Sequence, residues 1–149
     1  MRLITLPLIV SCLYLTEFVA LNITVPTIQN LEIINSIELP DIFSDDINRG
    51  YIDINDAVSL QVKSNVAWKL SIRTKKNSLY LHKDIDVSNI LVNLDGVSTN
   101  LSSDPIVIAS GRQTSGSIIN ISYRRNLSWD TCPPGAWRIE PEFKLEPLQ

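Results

Sequence analysis

From Leu21 onward, apolar residues recur mainly at every second position. Leu21, Ile23 and Val25 alternate with Asn22 and Thr24 before Pro26 interrupts the run. Such alternation marks a half-buried strand, because successive side chains of an extended chain point to opposite faces. Residues 31–39 are again strand-like, with Ile33, Ile34 and Ile37. The stretch 40–50 carries Asp41, Ser44, Asp45, Asp46 and Asn48 and reads as a polar connection. Residues 51–54 form a short strand candidate, and Asn55-Asp56 turns the chain.

The clearest alternation follows. Val58, Leu60 and Val62 fall on one face, and Trp68, Leu70 and Ile72 form a second. Ser64-Asn65 between them is either a hairpin turn or a bend. Trp68 is expected in the core, since an aromatic ring buries a large area there. Residues 74–78 read as a loop and 79–81 as a short apolar run. Residues 90–94 form a strand that ends at Asp95-Gly96, a strong turn dipeptide. A polar loop over 98–104, a strand over 105–109 and a Gly/Ser-rich turn through Gly116 come next. Ile119, Ile121, Tyr123 and Leu127 then alternate with Ile118, Asn120 and Ser122. In the last segment Trp137, Ile139, Phe143 and Leu145 share a face, opposed by Arg138, Glu140, Glu142, Lys144 and Glu146. Pro141 puts that strand at an edge or a bulge, because proline cannot donate to a ladder.

No stretch after residue 20 keeps a helical period. Short strands with turn signals between them predict an all-β fold, an antiparallel Ig-like β-sandwich, as one domain over 21–149. The first twenty residues differ. Arg2 precedes about a dozen mostly apolar residues, a run shorter than the roughly 20 that a spanning helix needs. Thr16 and Glu17 end it, and Ala20 offers a small residue for cleavage. The pattern predicts a signal peptide over 1–20, forming an N-terminal signal helix. A retained anchor is one alternative. Lipidation of Cys12 is another, as Ile9-Val10-Ser11-Cys12 is similar to a bacterial lipobox.

Composition narrows the chemistry. The chain has 149 residues, of which 44 % are hydrophobic, so it has the material for a core. A net charge of −3 advertises no basic face, and nucleic acid is not an expected partner. One His and two Cys do not supply the four ligands of a structural zinc site. Removal of 1–20 leaves Cys132 as the remaining cysteine, so the fold must stand on core packing rather than a disulfide. Cys132 is followed by Pro133-Pro134, and no local signature ties it to His82, so no nucleophile is assigned. Asp41, Asp45, Asp46, Asp53 and Asp56 cluster in sequence but lack the spacing of an EF-hand loop. They read as turn residues. Gly111 to Gly116 has two glycines in the wrong spacing for a phosphate loop and reads as a flexible turn. Sequons start at Asn22, Asn100, Asn120 and Asn126, with no role assigned. Lys75-Lys76 and Arg124-Arg125 are expected in solvent or against nearby acids. No catalytic, cofactor-binding or metal residue is predicted, and no cofactor.

Two stretches carry a family likeness. Residues 129–143, from Trp129 through Pro133-Pro134-Gly135-Ala136-Trp137 to Phe143, resemble the last connection and strand of secreted bacterial Ig-like domains. Those domains include fimbrial subunits and spore-coat-protein-U-like proteins. Residues 58–72 look like the central strand pair of the same domains. The paired cysteines common in fimbrial subunits are missing. The resemblance implies a non-catalytic structural or adhesive subunit, secreted, periplasmic or at the cell surface. Its partners would be other protein subunits or further copies of itself, with no membrane span after cleavage. Sheet edges suit such assembly, because they accept strands from other chains. Leu21 to Val25 is then either the domain's own first strand or an extension that completes a neighbour. A carbohydrate-binding module, which needs exposed aromatics on one face, is the first alternative. A small secreted hydrolase using the acidic cluster is the second. Mass spectrometry of exported protein is expected to find Leu21 at the N-terminus; a chain that still begins at Met1 would refute cleavage.

Overall fold

The computed structural model describes residues 24–74, 79–80, 83–84, 87–130 and 134–148. The chain is mostly β, with antiparallel pairing throughout the described strands. Its strands are β1 (Gln29–Ser36), β2 (Tyr51–Ser64), β3 (Trp68–Thr74), β4 (Leu79–Tyr80), β5 (Lys83–Asp84), β6 (Ile90–Leu94), β7 (Val97–Asn100), β8 (Ile106–Gly111), β9 (Thr114–Asn126) and β10 (Pro141–Pro147). A five-stranded sheet has the order β1-β2-β9-β6-β7, and a three-stranded sheet has the order β10-β3-β8. A small β4-β5 pair stands apart from both.

The inward positions of both sheets belong to one hydrophobic cluster. Leu60, Val62, Ile119 and Ile121 enter it from the five-stranded sheet, and Leu70 and Ile72 from the three-stranded one. β2 and β3 therefore do not pair with each other. The chain leaves one sheet at Ser64 and enters the other at Trp68, so Ser64-Asn65 is a bend. The Ser64 hydroxyl donates to the Val66 carbonyl at 2.8 Å and holds the bend closed. Asp95 and Gly96, by contrast, both have positive φ, 50° and 83°, as a two-residue hairpin turn between β6 and β7 requires.

Trp68 is 4 % exposed, in the core as expected. Its cross-strand partner is Gly111, and a Cβ there would come within 2.7 Å of the indole Cζ2. The absent side chain is what lets the ring lie over β8. Pro141 opens β10, which lies at the edge of its sheet. There its missing N–H costs no internal ladder bond.

Several elements depart from the expected pattern. A helix, α1 (Ser44–Arg49), sits inside the stretch read as a polar connection. The Phe43 backbone N–H donates to Asp46 Oδ2 at 3.0 Å at its start, and Gly50 with φ 89° ends it. Six residues are too few to display a helical period. β7 occupies the start of the expected loop over 98–104, and all four of its residues are exposed. A strand wet on both faces has no alternation to read. The last strand begins at Pro141 rather than Trp137. The Trp137 indole N–H instead donates to the Pro40 carbonyl at 2.8 Å, so this segment closes over an earlier loop.

Trp68→Ala is expected to cost about 3–5 kcal/mol in denaturant unfolding, as large aromatic truncations do in packed cores. Gly111→Ala is expected to cost about 1–3 kcal/mol by overpacking the same contact. An unchanged unfolding midpoint in either variant would place the indole away from Gly111.

Candidate functional site

The acidic residues singled out in sequence do not form a common site. Asp46 accepts from the α1 entry, as above, and its Oδ1 lies 3.3 Å from Arg49 Nη2. Asp53 is bound by Arg124 through two bonds, Nε to Oδ1 at 2.5 Å and Nη2 to Oδ2 at 2.7 Å. Arg124 also lies over the Tyr51 ring, 4.5 Å from its centroid. Asn55-Asp56 does not turn the chain as expected: β2 runs through it, and Asp56, with φ 48°, sits in a bulge of that strand where its backbone N–H donates to Ser122 Oγ at 3.0 Å. Asp41 and Asp45 are exposed. Among the described residues no group of three or more His, Cys, Asp or Glu is placed to hold a metal ion. Clefts of about 600, 380 and 300 Å³ are lined without any of these five aspartates.

Arg125 departs from expectation. It is buried, with its guanidinium 4.7 Å from the Trp137 ring centroid. Neighbouring strand residues face opposite sides, so Arg124 and Arg125 cannot both point outward. Trp137 is buried as well, while Trp129 is 57 % exposed. The Trp129 indole N–H donates to Asn48 Oδ1 at 3.1 Å, which fixes the ring against α1. Asn100, Asn120 and Asn126 are exposed on β7 and β9. Only Arg112 and Gln113 connect β8 to β9; Thr114, Ser115 and Gly116, expected in a flexible turn, open β9 instead, where the Gly116 N–H donates to Thr114 Oγ1 at 3.2 Å. Cys12, Cys132, His82, Lys75, Lys76, Asn22 and the segment 1–20 lie outside the described residues.

The feature that sequence reading did not locate is an open corner between the two sheets. β1 ends the five-stranded sheet and β10 ends the three-stranded one, and these two edge strands approach each other. Leu31 and Ile33 lie opposite Val62 and Leu60 in register. Directly opposed residues share a face, so both point to the inner side. Leu60 is 0 % exposed, whereas Ile33 is 59 % exposed. Across the corner, Phe143 and Leu145 lie opposite Ile72 and Leu70, which are fully buried. Phe143 and Leu145 themselves are only partly buried against the core. Inner-face apolar side chains are thus left in solvent at Ile33 on β1 and only half-covered at Phe143 and Leu145 on β10. The alternation in 31–39 signalled a strand; its exposure depends on how far the facing sheet extends.

The N-terminal segment leaves from the end of this corner. Asn65, in the bend, accepts from the Ile28 backbone N–H at 2.8 Å and donates through Nδ2 to the Pro26 carbonyl at 2.7 Å. Its own backbone N–H donates to the Ile28 carbonyl at 3.1 Å. Beyond that anchor, Thr24 and Val25 are in no strand, and Val25 is 70 % exposed. Leu21, Asn22 and Ile23, the rest of the expected first strand, lie outside the described residues. Among the described residues no helix is long and apolar enough to cross a membrane.

Comparison with known proteins returned no matching family model, curated protein or solved structure.

The Arg124–Asp53 pair gives a pH signature. The Arg124 hydrogen bond holds the Asp53 carboxyl below the usual carboxylate range, with Arg49 adding to the effect. A carboxyl lowered on folding stabilises the native state above its unfolded value, about pH 4. That contribution fades as pH falls through the lower folded value. Asp53→Asn should therefore be less stable than wild type at neutral pH, with the gap closing in acid. Thermal unfolding from pH 7 to pH 2 checks this; a gap that stays constant would show that the pair does not couple to folding.

Proposed function

We propose that this chain is a non-catalytic secreted or cell-surface subunit with an Ig-like β-sandwich fold, assembled by strand addition at the open corner. The observation that carries the reading is Ile33. It stands opposite a fully buried Leu60 on the same face, yet more than half of it is in solvent. An Ig-like sandwich covers that position with a strand of the facing sheet, and here three strands face five. A strand laid along β10 covers Ile33, Phe143 and Leu145 together. Main-chain bonds to the edge supply affinity in this mode, and alternate side chains supply specificity. Export rests on the charged, short apolar start of the chain, and the structural or adhesive role on the family likeness of 129–143 and 58–72.

Carbohydrate binding is the second reading, and Trp129 is the observation that favours it. Two of the three tryptophans are interior, so a sugar-stacking surface would rest on Trp129 alone among them. The hydrolase reading has less support, since the clustered aspartates go to a strand bulge, a helix start and an ion pair.

Two variants of the chain starting at Leu21 test the assembly. Ile33→Asp is expected to change monomer stability by no more than about 0.5 kcal/mol, as exposed substitutions do, while abolishing oligomers. Deletion of residues 21–25 is expected to do the same. Loss of monomer stability on deletion would return that segment to its own domain. A wild-type chain that stays monomeric at high concentration would overturn strand addition.

A further inference from the structure

The three-stranded sheet ends in β8 on the side away from β10, and a cleft with unused polar groups lies there. β6 pairs with β9 from Ser122 to Arg125, and the part of β9 before Ser122 pairs with β2 and with no other described strand. Past the end of β6, a gap thus separates β9 from β8. The cleft in this gap measures about 380 Å³, within the range of small-molecule sites. Leu94, Ala109 and Ile119 give it apolar walls, and Trp68 lines it although only 4 % exposed. The buried Trp68 Nε1 has no hydrogen-bond partner. The other buried indole, Trp137, does have one, the Pro40 carbonyl. Buried polar groups are nearly always paired, so an orphan donor beside a cleft calls for an acceptor from outside the chain.

Two charged side chains line the same cleft from different elements. Asp95 comes from the β6–β7 turn and Arg112 from the β8–β9 connection. Neither makes an ion pair with a described residue, so they do not neutralise each other. The donors fall together. Trp68 Nε1 lies 3.1 Å from where a Cβ on Gly111 would stand, and Arg112 is the next residue. The cleft therefore has a donor side at Trp68 and Arg112, an acceptor on a separate turn at Asp95, and apolar walls.

We propose that this cleft binds a zwitterionic aliphatic amino acid or dipeptide. Its carboxylate accepts from Arg112 and from the Trp68 indole N–H, its ammonium donates to Asp95, and its side chain packs on Leu94, Ala109 and Ile119. A carboxylate has acceptor sites for both donors at once, and a guanidinium is well matched to it. A simple anion would meet the like charge of Asp95, and an uncharged polyol would use neither charge. The site is distinct from the corner between β1 and β10, so it stands or falls independently of strand addition.

Titration of the labelled chain starting at Leu21 with L-leucine and with L-alanyl-L-leucine, followed in the nitrogen–proton spectrum, tests this. At least one of them should bind saturably, shifting the Trp68 indole N–H signal and leaving that of Trp137 in place. Acetylating the amine of that ligand, or amidating its carboxyl, should each weaken binding by about tenfold or more, the worth of one charge-assisted bond. Asp95→Asn should weaken the free ligand about tenfold and leave the acetylated one unchanged, and Arg112→Gln should do the same for the free and the amidated one. Both variants keep the fold, since Asn-Gly makes the same hairpin turn as Asp-Gly and Arg112 is exposed. No binding of either ligand up to about 10 mM would overturn the proposal. So would binding that leaves the Trp68 signal unmoved. An acetylated peptide that binds as tightly as the free one would overturn the zwitterion and make this a site for the C-terminus of a longer chain. A Trp68 shift produced by D-glucose and by neither zwitterion would overturn it in favour of a sugar.

Discussion

The interaction on which the rest of the structure depends is the shared core of Leu60, Val62 and Ile121 with Leu70 and Ile72. The two contributing faces belong to sheets of unequal width, five strands and three. Each core strand can alternate perfectly and still leave part of the wider face without cover. Ile33 and, less severely, Leu31 mark where the cover ends. The opening is thus a consequence of sheet width, not of a weak core, since residues one strand further in are fully buried.

Several polar contacts position the edges of that opening rather than strengthen the core. The bend at Ser64–Ala67 sends β2 and β3 into different sheets. Asn65 in the same bend fixes where the N-terminal segment departs. At the other end of β10, Trp137 bonds to Pro40 and Arg125 lies over its ring. That lid of loop and aromatic covers the core before the final strand begins. The Asp53–Arg124 pair, in contrast, lies on the exposed outer side of the larger sheet, where such pairs contribute modestly.

Edge strands in this protein are managed unequally. β7 is short and exposed, so it offers little to a foreign strand. β10 carries a proline at each end and two charge pairs on its outer face, Arg73–Glu142 and Lys144–Glu146. β1 carries Ile33 and Ile34, each at least half exposed, and lacks proline within its span. Of these three, β1 is the least protected, and it borders the open inner face. An assembly contact there would remove the aggregation liability and the exposed apolar surface together.

The sequence by itself determined what local physics decides. Alternation in 58–62, 68–72 and 119–123 set the strands and their inward faces, because side-chain direction in a strand depends on position parity. Asp95-Gly96 set a hairpin, because both residues tolerate positive φ. Pro141 set an edge. Tertiary structure decided everything that depends on which strands meet. Parity could not say whether Val58–Val62 and Trp68–Ile72 pair side by side or face each other across the core. It could not show that Arg125 enters the interior beside Trp137, since a charge run looks solvated until its partner ring is in place. Nor could it distinguish Ile33 from Leu60. Both are apolar, inward-facing strand residues, and they differ only in whether a strand from elsewhere in the chain lies across from them.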